Sequence, residues 1–177
     1  LVEETLEMAR LTSEDESSGL PEASLYATST PDLDLADASW GSLTTEQRID
    51  LAKRAEAAAL AFDPALTNSE GGAFEWERSR TVVANSFGFN GAYESTMGYL
   101  AAQPIAEKDG AMQRDYWMSI TRHRSQLETP EAIGRRAAER VLRRLGARKI
   151  KTCEVPVVFE PMTARSLIRH IFEAVSG

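Results

Sequence analysis

The sequence contains few of the side chains from which most metal sites and covalent active sites are built. Among 177 residues there is one cysteine, Cys153, and there are two histidines, His123 and His170. A single cysteine excludes a disulfide within the chain and fits a reducing compartment, so we expect a cytoplasmic protein. Neither histidine has a second histidine or a cysteine three to five residues away, which excludes the usual spacing of a zinc site.

Long apolar runs and phosphate-binding loops are also missing. No stretch approaches the roughly 18 to 20 apolar residues of a membrane-spanning helix, and the opening Leu-Val-Glu-Glu-Thr does not resemble a signal peptide. No glycine-rich phosphate loop precedes a predicted helix, and no Gly-x-Ser-x-Gly motif occurs. We therefore expect no membrane partner. Because residue 1 is not methionine, we also expect a fragment of a longer protein.

Charge is distributed unevenly along a chain whose net charge is −7. Residues 1–46 hold eleven acidic residues and one arginine, whereas residues 114–151 hold eleven basic and four acidic residues. The simpler interpretation is two solvated faces of opposite sign. The alternative is a nucleic-acid surface, and it depends on five arginines of one predicted helix: Arg135, Arg136, Arg140, Arg143 and Arg144. Because no aromatic or glycine-rich nucleic-acid motif accompanies them, we expect that nucleic acid is not a partner.

Hydrophobic periodicity predicts an α+β fold, with amphipathic helices packed on an antiparallel β-meander. Helices are predicted at residues 1–11, 44–62, 130–145 and from 161 onward. Strands are predicted at residues 74–86, 92–106, 111–124 and 149–159, the last of them buried. The pair Asp109-Gly110 predicts a tight hairpin turn, residues 67–72 have turn chemistry, and Pro104 is expected at an edge or a bulge.

Residues 12–41 are predicted to form a long loop. The segment has no periodicity and contains Pro21 and Pro31, both of which interrupt regular structure. It nevertheless carries large apolar side chains at intervals, namely Leu20, Leu25, Tyr26, Leu33, Leu35 and Trp40. A free tether seldom has so many, so we expect this loop to be strapped across the surface of the domain.

Three aromatic residues of the predicted meander, Tyr99, Tyr116 and Trp117, are candidates for peptide binding. Aromatic side chains on strands most often pack against their cross-strand neighbours. The functional alternative is a sheet edge that pairs with an extended peptide, in which backbone hydrogen bonds supply affinity and side-chain pockets supply selection. The sequence leaves both interpretations open.

Several stretches resemble the TldD/PmbA family, and specifically its PmbA, or TldE, branch. The similar stretches are residues 66–71, 82–88, 113–117, 133–138, 144–149, 155–160 and 174–177. Their order and spacing across residues 44–177 carry the resemblance. It implies a subunit of a cytoplasmic bacterial or archaeal metalloprotease complex that degrades or matures peptides, in a family first described as a modulator of DNA gyrase.

The resemblance also implies a domain organisation. Family members are several hundred residues long, so this chain would cover the later part of an N-terminal α/β domain and the opening of a C-terminal domain. We place the first part at residues 1–147, including the strapped loop at 12–41, and the second at residues 148–177.

In an active relative the resemblance implies a metal motif, His-Glu-x-x-x-His, on a strand-to-helix segment. Two histidines and a later cysteine would hold the metal, and the Glu would act as general base. On this chain the motif falls on residues 159–164, with Phe159 and Ala164 in the histidine places and Glu160 in that of the base. Phe and Ala cannot bind a metal, and Pro161 restricts where the helix starts. We therefore expect no cofactor in this chain and a zinc-like metal only in a TldD-like partner.

Three functions follow for testing. The leading hypothesis is a non-catalytic PmbA-like subunit that binds a TldD-like subunit, or forms a homodimer, and helps enclose unfolded or small peptides. The alternative is a regulatory binding module that acts on DNA gyrase or nucleic acid through the arginine-rich helix. The third is an independent hydrolase that uses Glu160, the one catalytic candidate, together with His170.

Overall fold

The computed structural model describes residues 1–15, 17–29 and 31–176. Glu16 and Thr30, in the predicted loop, and Gly177, at the end of the predicted second domain, lie outside the described residues. Contacts divide the chain into two units, Leu1–Leu145 and Gly146–Gly177. The helices are α1 (Val2–Leu11), α2 (Thr45–Leu60), α3 (Pro130–Leu142) and α4 (Pro161–Val175), and the strands are β1 (Leu66–Ala84), β2 (Asn90–Lys108), β3 (Ala111–Arg114) and β4 (Trp117–Thr121).

The four strands form one antiparallel sheet with β2 at its centre, which confirms the predicted α+β fold. β1 pairs with β2 along most of their length, while β3 and β4 pair with successive parts of the other edge of β2. The predicted turn joins β2 to β3, where Asp109 and Gly110 take φ angles of 53° and 75°. Two successive positive φ angles are those of a type I′ hairpin turn.

Pro104 lies in the central strand, at the place where a missing N–H donor does least harm. On one side it is opposite Ser69, next to an irregularity in the β1 register between Ser69 and Gly72. On the other side the pairing with β4 ends at Ala102 and the pairing with β3 begins at Ile105. The prediction of a bulge is therefore confirmed and that of an edge is wrong, because local breaks in both ladders accommodate the proline.

The turn predicted at residues 67–72 is wrong, since these residues belong to β1. The turn-forming residues instead produce two register irregularities within the strand, and Gly71 takes a φ of 112°. The bend brings Gly72 against helix α2. A Cβ on Gly72 would stand 2.1 Å from the carbonyl oxygen of Ala52, so the absence of a side chain is what lets the helix approach the strand.

Helices α2 and α3 cover one face of the sheet, and they begin where the sequence predicts. Thr44 accepts a hydrogen bond from the Gln47 amide at 3.2 Å, while the Gln47 side chain accepts one from the Thr44 amide at 2.9 Å. This reciprocal pair is a capping box. Thr129 caps α3 through the Ala132 amide at 3.3 Å. The helix ends at Leu142, three residues before its predicted end.

The hydrophobic core lies between these helices and the covered face of the sheet. Its buried members are Ala55, Ala59, Leu66, Leu100, Ala102, Ala106, Ile133, Ala137, Ala138 and Val141. Small residues dominate the helix contacts, and a Cβ on Gly134 would stand 2.2 Å from the carbonyl oxygen of Ala55. The two helices consequently pack at close range, where dispersion contacts are most numerous.

The loop at residues 12–41 is strapped to the domain from Tyr26 onward, where the Tyr26 ring centroid lies 5.6 Å from that of Phe89. Trp40 is fully buried, and the Thr96 amide donates a hydrogen bond to the Leu35 carbonyl at 3.0 Å. Leu20, Leu25 and Leu33, by contrast, are 50%, 74% and 65% exposed. The prediction holds for the part that reaches β2 and is wrong for these three leucines, which find no core surface within the part of the chain that the structure describes.

The second unit differs from its prediction in one respect. Residues 149–159 form no regular element and are exposed throughout, so the predicted buried strand is wrong. A strand needs a partner for its backbone groups, and no described strand pairs with this segment. Helix α4 forms as predicted from Pro161. The assignment of residues 1–147 and 148–177 to two domains of a longer protein stays a prediction.

No helix among the described residues is both long and apolar enough to cross a membrane.

The contact between Gly98 and Trp40 gives a test of the packing. A Cβ on Gly98 would stand 2.0 Å from the Trp40 ring, so Gly98→Ala is expected to lower the free energy of unfolding by about 1–3 kcal/mol through overpacking. Gly41→Ala is the control, because its Cβ meets the Trp76 ring at an ordinary 3.8 Å, and we expect a change within about 0.5 kcal/mol. Urea denaturation measures both, and equal stability of the two variants would contradict the packing described.

Candidate functional site

Tyr99 and Tyr116 lie together on the face of the sheet that α2 and α3 leave open. Tyr99 pairs with Glu75 of β1 and Ile120 of β4, so these side chains share its face. Burial raises the pKa of the Tyr99 phenol, and the neighbouring Glu75 carboxylate and Tyr116 phenol raise it further. Ile120 is 47% exposed and Tyr116 41%. The structure thus brings two of the three predicted peptide-binding aromatics onto one accessible surface.

Trp117 lies on the opposite face, among the residues of α3. It pairs with Ala102 of the core, and its indole Nε1 donates a hydrogen bond to Glu128 Oε1 at 3.2 Å. The Arg136 guanidinium stacks on the ring, 4.0 Å from its centroid. Trp117 therefore packs on the covered face, whereas the Tyr116 phenol lies near Tyr99 of the open face.

Three arginines on α3 or just after it, Arg136, Arg140 and Arg144, form ion pairs within the molecule. Arg136 pairs with Glu128 at 3.9 Å. Arg140 and Arg144 both approach the Asp115 carboxylate, at 3.5 and 3.7 Å, and the Asp115 side chain is only 12% exposed. These ion pairs join α3 to the break between β3 and β4. They reduce the positive charge that the helix presents to an outside anion.

Phe159, Glu160 and Ala164 lie at the start of α4, in the segment that was predicted to pass from a strand into a helix. Glu160 is the N-cap residue, and its backbone carbonyl accepts the amides of Thr163 and Ala164 at 2.9 and 2.8 Å. His170 lies ten residues further along the helix, about 15 Å at a rise of 1.5 Å per residue. Its Nδ1 is 3.7 Å from Glu173. The structure therefore does not bring Glu160 and His170 together.

Within the residues that the structure describes, no three His, Cys, Asp or Glu side chains are grouped so that they could hold a metal ion. Cys153 is exposed, and His123 is occupied in the strap, where its Nε2 lies 2.8 Å from the carbonyl oxygen of Asp34.

A groove of about 990 Å³ was not predicted from the sequence. One wall is the loop segment at residues 31–36, and the other is formed by consecutive residues 91–95 of β2. Apolar side chains contribute Leu33, Val83, Phe89 and Tyr93, while Arg122 and Glu94 supply charge. Pockets of roughly 300–1,000 Å³ are typical of ligand sites. The sequence signal was the apolar content of the loop, which indicated a surface contact without locating it.

Asp37 fastens the loop beside this groove. Its carboxylate accepts hydrogen bonds from the backbone amides of Ser39 and Arg124, both at 2.8 Å. The Ser39 side chain, followed by these amides and the charge of His123, holds the pKa of Asp37 below its ordinary value of 3.8. Hydrogen bonds to the ionised form are the main cause. The loop is thus tied to the end of β4 through a charged group.

The profile of a protein family described as the PmbA/TldA metallopeptidase central domain matches residues 38–145. The chain belongs to this family. The match covers the sheet together with α2 and α3, and it begins two residues before Trp40. The predicted resemblance is confirmed.

Relatives of the PmbA/TldA family agree with this assignment. The chain is 40% identical to the metalloprotease PmbA of Escherichia coli O157:H7 and 35% identical to the PmbA homologue of Haemophilus influenzae, each over 99% of this chain and 39% of the relative. A crystal structure of a putative modulator of DNA gyrase from Bacteroides thetaiotaomicron has a TM-score of 0.89 and 28% identity, covering 98% of this chain and 40% of that one. The chain thus spans about two fifths of these family members.

A further likeness concerns the fold alone. The structure of TldE from Thermococcus kodakarensis has a TM-score of 0.62 and 21% identity, covering 80% of this chain and 31% of that chain. The PmbA/TldA fold is therefore shared with an archaeal protein of low sequence identity.

The depressed pKa of Asp37 gives a pH-dependent expectation. Because ionised Asp37 is favoured in the folded state, its stabilisation is complete above the ordinary value of 3.8 and is lost as the pH falls through the lower, folded pKa. Asp37→Asn is expected to melt at a lower temperature than the unmodified protein at neutral pH, and the difference is expected to narrow below pH 3.8. Circular dichroism melts at several pH values measure it.

A second variant tests whether the neighbours of Asp37 are the cause of its lowered pKa. Ser39→Ala removes the largest cause of the shift, so the pKa of Asp37 is expected to move up toward 3.8 in an NMR titration. A melting difference that stays constant with pH, or a pKa unaffected by Ser39→Ala, would refute this account of the loop.

Proposed function

We propose that this chain forms part of a PmbA-like, or TldE-like, subunit of a TldD–TldE type metalloprotease that degrades or matures peptides. In this proposal a TldD-like partner holds a zinc-like metal, and the present chain contributes surface to the peptide-binding enclosure. A homodimer is the other assembly we consider. We place the complex in the cytoplasm of a bacterium or archaeon. The names of the relatives support the broader part of the proposal, which is membership of a metalloprotease family.

The sequence supports the non-catalytic role, because it contains no His-Glu-x-x-x-His, and the resemblance to the family puts Phe159 and Ala164 in the places of the histidine ligands. A phenyl ring and a methyl group have no lone pair to offer a metal. Glu160 precedes Pro161, the first residue of α4, so its carboxylate lies at the positive end of the helix dipole, where it stabilises the helix start.

The peptide-binding part of the proposal draws on the accessible surfaces of the sheet. Tyr99 and Tyr116 lie on its open face, and the groove beside β2 offers apolar side chains together with strand backbone. An extended peptide needs both kinds of group. Tyr99, Tyr116 and the β2 side of the groove lie within residues 38–145, which the family profile matches. The loop side of the groove precedes these residues.

A regulatory module acting on DNA gyrase or nucleic acid is the second candidate. The Bacteroides structure is described as that of a putative modulator of DNA gyrase, and this description favours the second candidate. The arginines on and just after α3 give this candidate less support, because Arg136, Arg140 and Arg144 already face Glu128 or Asp115. Paired guanidinium groups release fewer counterions on binding nucleic acid than free ones.

Metal content distinguishes the proposed subunit from an independent metalloenzyme. The intact protein, purified alone, is expected to contain far less than stoichiometric zinc or iron by mass spectrometry, since in this proposal Phe159 and Ala164 stand in the places of the histidine ligands. Purified together with a partner that carries His-Glu-x-x-x-His, it is expected to give about one metal ion per pair and hydrolysis of an unstructured peptide. Stoichiometric metal in the intact protein alone would defeat the proposal.

Glu160→Gln tests the remaining catalytic candidate. We expect peptide hydrolysis by the co-purified pair to stay within about twofold of the unmodified pair, because a helix-cap carboxylate takes no proton in the reaction; loss of a true general base costs about 10²–10⁴ in rate. The matched control replaces the Glu of the partner's motif by Gln and is expected to show that loss. A hundredfold fall from Glu160→Gln would reinstate Glu160 as a catalytic residue.

A further inference from the structure

We draw no further inference here: the strongest candidate, the exposed apolar face of helix α4 around Ile171 and Phe172, carries none because nothing in the structure shows what covers it.

Discussion

The seating of the Trp40 ring on Gly98 is the contact on which the organisation of the first unit depends. The ring occupies the space that a side chain at Gly98 would fill, and its Nε1 donates a hydrogen bond to the carbonyl of Arg122 at 2.8 Å. The same carbonyl accepts the Thr96 hydroxyl at 2.9 Å. One buried residue thereby joins the loop, the centre of β2 and the end of β4. Without it, the loop would be held only by polar contacts such as those of Leu35 and Asp37.

Strand β2 combines two alternations, and each produces a different surface. Its side chains alternate between faces, so Leu100 and Ala102 enter the core while Tyr99 lies on the open face. Its backbone groups alternate between the two edges of the strand. The half of β2 that precedes Gly98 therefore presents unpaired donors and acceptors to the groove. Stability comes mainly from the half that is paired on both sides. The half that precedes Gly98 is paired on one side only, so its other side has backbone groups that are free to bind.

Elements defined by local chemistry were predictable, and those defined by distant contacts were not. Thr129 and Pro130 mark the start of α3, and Asp109-Gly110 forces a tight turn, because each acts within a few residues. The bend at Gly71 and Gly72 looks like a turn in sequence, yet contact with α2 makes it part of a strand. The faces of Tyr99 and Trp117 depend on strand register, which the sequence does not specify. The groove depends on a positive φ at Asp34, which needs the folded loop.

The exposed apolar side chains of the second unit affect how the chain behaves when it is handled in isolation. Val158 is 94% exposed, and in α4 Ile171, Phe172 and Val175 are 64%, 66% and 76% exposed. A contiguous apolar surface of this kind favours association between molecules. Residues 38–145, which the family profile matches, carry the packed core without this segment, and they are therefore the more tractable sample for solution spectroscopy and crystallisation.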